Sequence, residues 1–310
     1  MGFRSQFLYP TAWYSKLVIS VLALAFFGLL AVSAISGYAL YQIILPTSSR
    51  SDINLQNFPG HPEALTYSVP GAGQRDTWFF PGLKSAPTVI LCPGYHSSRG
   101  ELLPLASALQ DHQYNVLLLD FSGQGTSGGR STLGFQEVAE LRAAMNAVAG
   151  RGDVDADHFG LWGANIGAYV ALSEAVTDKR VHAIAAESPY GHPNDMLAVL
   201  IGRMGIGAIP LVSRVAKLEF GWLNPYYRNI PPLRMRLRNL AGVAQLYMAA
   251  PEDPALASST QELFQVSPAP HDIVSLPHGN YAGMLDEEKT NYENRIVSFF
   301  LVNLPPSATQ

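Results

Sequence analysis

The stretch from His158 to Thr177 constrains the fold more than any other. An apolar strand candidate, His158 to Trp162, runs through Gly163-Ala164-Asn165-Ile166-Gly167 straight into a helix candidate, Ile166 to about Thr177. The glycines at 163 and 167 keep the helix close to the strand. Between them, Asn165 suits a turn with φ > 0, which Asn tolerates better than most residues.

Composition bounds the rest. At 310 residues the chain can hold one sizeable α/β domain plus an appendage. Charged residues make up only 14%, against roughly 25% in an average soluble protein. That deficit leaves apolar surface for a membrane or a partner. A net charge of −4 and a pI near 6.0 provide no basic field for nucleic acid. The single cysteine, Cys92, excludes an intrachain disulfide and a multi-cysteine zinc site. It is expected to pack as a small apolar residue at a strand end. No cofactor and no metal is expected.

Residues Leu17 to Leu45 carry no charge, and about 20 apolar residues suffice to span a bilayer. Trp13 and Tyr14 precede the run, and Tyr38 and Tyr41 lie near its far end, as interfacial aromatics do. Arg4 and Lys16 come before it, and Arg50 and Asp52 are the first charges after it. The positive-inside rule therefore favours a cytoplasmic N-terminus and an exported C-terminal domain. A cleaved signal peptide is the alternative, with Val32-Ser33-Ala34 as the cleavage site. The run continues well past that point, which favours a retained single-pass anchor. Ser33 and Gly37 form a small-xxx-small pair that could receive another helix.

Pro46 to Gly60 is polar and turn-rich, a linker. Strand candidates follow at Ala64–Val69, Asp76–Phe80, Thr88–Cys92, Asn115–Asp120, His158–Trp162, Val181–Ala186, Val243–Ala249 and Asp272–Leu276. Helical stretches lie at Glu101–Gln110, Phe135–Ala149 and Ile166–Thr177, with a final one at about Glu287–Val302. Two early strands followed by alternating strand and helix predict a mostly parallel eight-stranded sheet with helices on both faces. Gly191 to Leu240 interrupts the alternation. It is first apolar, with Leu197, Leu200, Ile201, Leu211 and Val212, then basic, with Arg228, Arg234, Arg236 and Arg238. A cap over a pocket, a membrane-facing surface and plain core helices all fit it.

Gly160 to Gly167 resembles the nucleophile elbow of the α/β-hydrolase fold, with Asn165 at the raised position. Gly123-Gln124-Gly125-Thr126-Ser127-Gly128 satisfies GxGxxG, but the next helix candidate starts several residues later, too late for its N-terminus to meet a pyrophosphate. With Asp120 the same loop resembles the DxxGxGxS loop of many α/β-hydrolases. The resemblance implies that backbone N–H groups of Tyr95 and Ile166 form an oxyanion hole, that Asp253 stands at the acid position, and that Tyr281 occupies the base position. Pro93 stands where the family usually has His; His96 either faces the pocket or belongs to a surface loop. Asp253 also fits an ordinary Asp-Pro turn bonding local backbone. His278 is a possible substitute base, three residues before Tyr281.

Serine works at the elbow because a histidine takes its proton; an amide offers neither that proton nor a strong nucleophile. Deamidation of Asn165 would create an Asp nucleophile, but the bulky Ile166 disfavours it. The expected organisation is a cytoplasmic tail and transmembrane anchor (1–46), a linker (47–63) and an α/β-hydrolase domain (64–305) with a small cap at about 191–240. The expected function is a membrane-anchored protein of this fold that does not hydrolyse and serves as a binding or interaction module. A hydrolase of esters, lipids or peptides with a non-standard centre is one alternative, and an accessory subunit of a membrane protein complex is another. Membrane lipid, met through the N-terminal helix, is the expected partner, with a membrane protein complex as a further candidate.

Overall fold

The computed structural model describes residues 13–45, 60–125, 127–227 and 229–306, apart from the side chain of residue 282. Arg4, Arg50, Asp52, Thr126, Arg228 and the expected linker as far as residue 59 lie outside the described residues. In chain order the elements are α1 (Trp13–Ile44), β1 (Glu63–Val69), β2 (Gly73–Phe80), β3 (Thr88–Cys92), α2 (Leu103–Asp111), β4 (Asn115–Leu118), α3 (Phe135–Ala149), β5 (Phe159–Ala164) and α4 (Ile166–Ala175). Then come β6 (Val181–Glu187), α5 (Pro193–Arg203), α6 (Pro210–Leu223), β7 (Ala244–Ala249), α7 (Pro254–Val266), β8 (His271–Ser275) and α8 (Asp286–Asn303).

The eight strands form one sheet in the order β1-β2-β4-β3-β5-β6-β7-β8. β1 with β2 and β2 with β4 pair antiparallel, and the rest pair parallel, so the sheet is mixed with a parallel body. β3 and β5 are buried along their whole length, as continuous apolar strands covered on both faces are. The glycines of β5 identify the covers. A Cβ on Gly160 would lie 2.7 Å from the Phe300 ring of α8. On Gly163, which points the other way, it would lie 2.3 Å from the Gly167 backbone of α4. Helices therefore cover opposite faces, and Leu105, Leu109, Ile296 and Phe300 join Leu91 and Trp162 in one core. Within the interruption expected at 191–240 lie α5, α6 and short 3-10 turns.

The chain divides into two compact units. One holds α1 as far as Gln42 together with Leu200–Arg228; the other holds Ile43–Val199 and the chain from Asn229. In the first, Ser33 Oγ donates to Glu219 Oε1 at 2.7 Å and Ser36 Oγ donates to Val212 O at 3.0 Å. A Cβ on Gly37 would stand 3.7 Å from Glu219 Oε2, so the helix received at the Ser33–Gly37 pair is α6. Among the described residues α1 is the one helix long and apolar enough to cross a membrane. In the second unit, Ile43 O accepts from Tyr95 Oη at 3.0 Å and Ile44 O from Ser131 N at 2.8 Å.

Two buried carboxylates of α3 hold the loops beside the sheet. Glu137 accepts from Ser131 Oγ (2.7 Å), Thr132 N (2.9 Å) and Gly134 N (2.9 Å). Glu140 accepts from Ser122 N at 2.9 Å and from the Ser122 hydroxyl, with Arg75 Nη2 3.9 Å away. Burial, with Glu137 adding repulsion, pushes the Glu140 carboxyl up to about 7. A raised acid pKa means that the folded state holds the proton longer than the unfolded chain does, so stability falls as pH rises between the two values. In urea unfolding of the full chain in detergent, stability is expected to drop by roughly 3 kcal/mol from about pH 5 to about pH 8 on account of this group. Glu140→Gln should lack that part of the slope; an unchanged slope refutes the assignment.

Candidate active site

β5 ends at Ala164 and α4 begins at Ile166, leaving Asn165 alone in the turn at φ 38°, ψ −96°. So sharp a turn requires the helix to start against the sheet. A Cβ on Gly167 would lie 2.0 Å from Cys92 O and 2.8 Å from Pro93 O, so only glycine admits the approach. The Asn165 backbone is used on both sides. Its N–H donates to Glu187 O at 2.8 Å, and its carbonyl accepts from Tyr169 N at 3.0 Å.

The Asn165 side chain lies between two loops. Its Oδ1 accepts from Ile166 N at 2.7 Å and from Tyr95 N at 2.7 Å. Both partners are N–H donors, which fixes the oxygen at this position rather than the amide nitrogen. Tyr95 reaches it because Gly94 has no side chain: a Cβ there would come within 2.9 Å of Asn165 Nδ2. These are the two backbone donors that resemblance assigns to an oxyanion hole. Each is at the 2.7–3.1 Å separation from an oxygen at which such a hole works, and the oxygen belongs to the protein. A substrate carbonyl has to displace Asn165 Oδ1 to reach them.

The remaining sequence-derived positions are engaged elsewhere. Asp253 is the N-cap of α7, where its Oδ1 accepts from Leu256 N at 3.1 Å. His278 is largely exposed and pairs through Nδ1 with Glu288 at 3.0 Å, and that hydrogen bond raises its pKa. Tyr281 is buried in the core. Its hydroxyl donates to Glu293 Oε1 at 2.6 Å, and its ring packs edge-on against Trp162 with centroids 5.8 Å apart. Burial, then the Glu293 carboxylate, hold its phenol far above the usual tyrosine range, so it keeps its proton. The structure thus brings Asn165, Tyr95 and Ile166 together, and gives His278 and Tyr281 carboxylate partners of their own. His96 is exposed at φ 62°, edge-on to the Tyr95 ring.

Glu187 is a site residue that sequence reasoning missed. Its Oε1 accepts from Asn280 N at 2.8 Å and its Oε2 from Tyr292 Oη at 2.7 Å, while Trp162 Nε1 donates to that same hydroxyl at 2.8 Å. The Tyr281 N–H also bonds to it. One buried carboxylate thereby joins β5, β6, the loop after β8 and α8. Burial raises its pKa. Its only sequence signal was an acid at the end of an apolar strand, one residue beyond the expected boundary.

The glycine-rich loop folds around Asp120, which accepts from Arg99 N at 2.8 Å and pairs with Arg99 Nε at 3.2 Å. Gly125, at φ +54°, passes so close that a Cβ would lie 2.2 Å from the Asp120 carboxyl carbon. α3 starts only at Phe135, so the loop does not run directly into that helix. Cys92 is buried at the end of β3, and burial pushes its thiol up. Among the described residues no three His, Cys, Asp or Glu side chains gather as a metal ion would need.

Residues 84–262, more than half of the chain, match the family model described as serine aminopeptidase, S33. The chain belongs to this family. It is an α/β-hydrolase by fold. An uncharacterized protein of Mycobacterium tuberculosis, Rv2307c, is 32% identical over 150 residues, 46% of this chain and 52% of the relative. The chain thus spans about half the length of that relative. The acyltransferase drtE of Aspergillus calidoustus is 31% identical over 111 residues, 34% of this chain and 36% of that protein. Among solved structures, the esterase Pf2001 of Pyrococcus furiosus superposes with a TM-score of 0.66 at 19% identity, over 84% of this chain and 98% of that one; at that identity the likeness concerns the fold.

Two N–H groups aimed at one oxygen favour a negative charge there. Asn165→Asp replaces two neutral hydrogen bonds with charge-assisted ones, which should lower the new carboxyl's pKa below about 3.9 and stabilise the fold by about 1 kcal/mol near neutrality. With the folded pKa depressed, the gain is present above the unfolded pKa and disappears as pH falls through the folded one. Thermal melts of this variant and of the parent across that range check it; a variant destabilised near neutrality refutes the geometry.

Proposed function

We propose that this protein is a membrane-anchored α/β-hydrolase-fold member of the serine aminopeptidase S33 family that does not hydrolyse and acts as a binding or interaction module. The observation that carries the reading is Asn165 Oδ1, bound by both Tyr95 N and Ile166 N at 2.7 Å. The position that would hold the nucleophile carries an amide, and that amide occupies the donors that would stabilise an oxyanion. In a serine hydrolase, loss of triad members lowers the rate by on the order of 10⁴ or more.

The anchor half of the reading rests on α1. Cleavage after Ala34 would remove Ser33, which binds Glu219, together with Phe26, Leu29 and Leu30, which face α6. Retention is therefore favoured. Two positive charges before the apolar run against one after it favour the exported side for the folded domain.

Hydrolysis of esters, lipids or peptides by a non-standard centre is the second reading. It is favoured by membership of a family named for an aminopeptidase and by the likeness to an esterase.

The test is a fluorophosphonate probe and an ester, lipid and peptide panel on the detergent-solubilised full chain. The expected result is no specific labelling and no turnover, also for Asn165→Ser, because a hydroxyl alone gains no base from His278 or Tyr281. Turnover abolished by Asp253→Ala would establish the second reading instead.

A further inference from the structure

The pairing of α1 with α6 has a consequence for where α6 lies. On α1 the facing residues are Phe26, Leu29, Leu30 and Ser33; on α6 they are Val215, Leu218, Glu219 and Trp222. Two polar contacts, Ser36 with Val212 and Ser33 with Glu219, close one end of the antiparallel pair. Beyond them lies a groove of about 450 Å³ with mostly apolar walls, within the size range of small-molecule sites.

Depth follows from counting. A hydrocarbon core takes about 20 residues of helix, and the uncharged run is Leu17 to Leu45. Wherever such a window is placed within that run, it contains Phe26 to Ser36. That is the stretch of α1 that carries α6. Any bilayer that α1 crosses therefore surrounds α6 as well. With 14 residues, about 21 Å of helix, α6 is too short to cross on its own. The α6 wall of the groove is open and apolar: Trp222 is 73% exposed and Leu218 63%. Arg214 and Lys217 form no ion pair among the described residues. They lie between the two polar contacts, on stems that can extend towards headgroup phosphates.

We infer that α6 is a re-entrant membrane element and that the groove it forms with α1 binds one acyl chain of a bilayer phospholipid. Acyl chain is the occupant because the groove wall is the membrane-crossing helix itself, at a depth where lipid chains are the solvent. This rests on α1 being a retained anchor, and the experiment separates the two.

The full chain is reconstituted in phosphatidylcholine vesicles, with and without bromine atoms on the acyl chains, and tryptophan emission is compared with that of Trp222→Phe. First, the vesicles are floated: a chain that stays behind overturns the anchor, and the groove with it. In floating vesicles the emission difference between parent and Trp222→Phe, present in plain lipid, should be lost in brominated lipid. Val215→Phe, which fills the groove, should restore part of it. A difference that survives bromination, or quenching indifferent to Val215→Phe, overturns the groove while leaving the anchor intact. Disulfide-linked dimers of Leu218→Cys in the same vesicles would overturn it too, by identifying a second copy as the occupant; the native Cys92 is buried and does not compete.

Discussion

Two backbone N–H groups from separate loops converge on a single amide oxygen, and the centre of the molecule depends on that convergence. Tyr95 N comes from the turn after β3 and Ile166 N from the first residue of α4, yet both lie 2.7 Å from Asn165 Oδ1. For them to meet, β3 and β5 must be neighbours and α4 must start against the sheet. The turn between must hold φ at 38°. Glycine at 94, 163 and 167 makes each approach possible. A strained turn persists only when its surroundings over-determine it. Here the two bonds to Oδ1 and the backbone bonds to Glu187 and Tyr169 do so.

That arrangement separates geometry from reactivity. In a working elbow the nucleophile points at substrate and the two N–H groups wait for charge that develops in the transition state. With Asn165 the same donors are satisfied in the resting fold, and an amide oxygen is a ground-state acceptor. The observed arrangement is one acceptor oxygen held by two backbone donors within the fold. Glu187 adds to this. Its carboxylate binds the loop after β8 through Asn280 N and binds α8 through Tyr292.

Much of the fold was legible because it is written locally. The α3 boundaries and the position of every strand follow from apolar periodicity and glycine placement, within a few residues at their ends. β4 stops at Leu118, short of the expected Asp120, because Asp120 turns aside to bind Arg99. At the start of α7 the Asp-Pro turn reading is met: Asp253 caps the helix, with Pro254 at its first position. Tyr281 could not be placed from sequence, since spacing along the loop after β8 does not say which side chain turns inward. Burial against Trp162 and the bond to Glu293 decide that. Glu187 was invisible for a related reason. Its partners Asn280 and Tyr292 lie 93 and 105 positions further along the chain.

The association of α1 with α6 is the feature furthest from sequence reach, because contacts between residues separated by 176 and 186 positions leave no local periodicity. Yet once the pairing is known, the sequence regains force. The Ser33–Gly37 pair lets a helix approach, and the serine supplies the hydroxyl that meets a carboxylate on its partner. In water a Ser–Glu contact at an exposed seam contributes little, since water competes for both groups. In hydrocarbon nothing competes, and an unpaired polar group costs several kcal/mol. Wherever α1 lies, the Ser33–Glu219 and Ser36–Val212 bonds hold α6 against it. An apolar run read alone says only that a helix can cross a bilayer. With α6 bound along its middle, any bilayer that α1 crosses also takes in part of the region between β6 and β7.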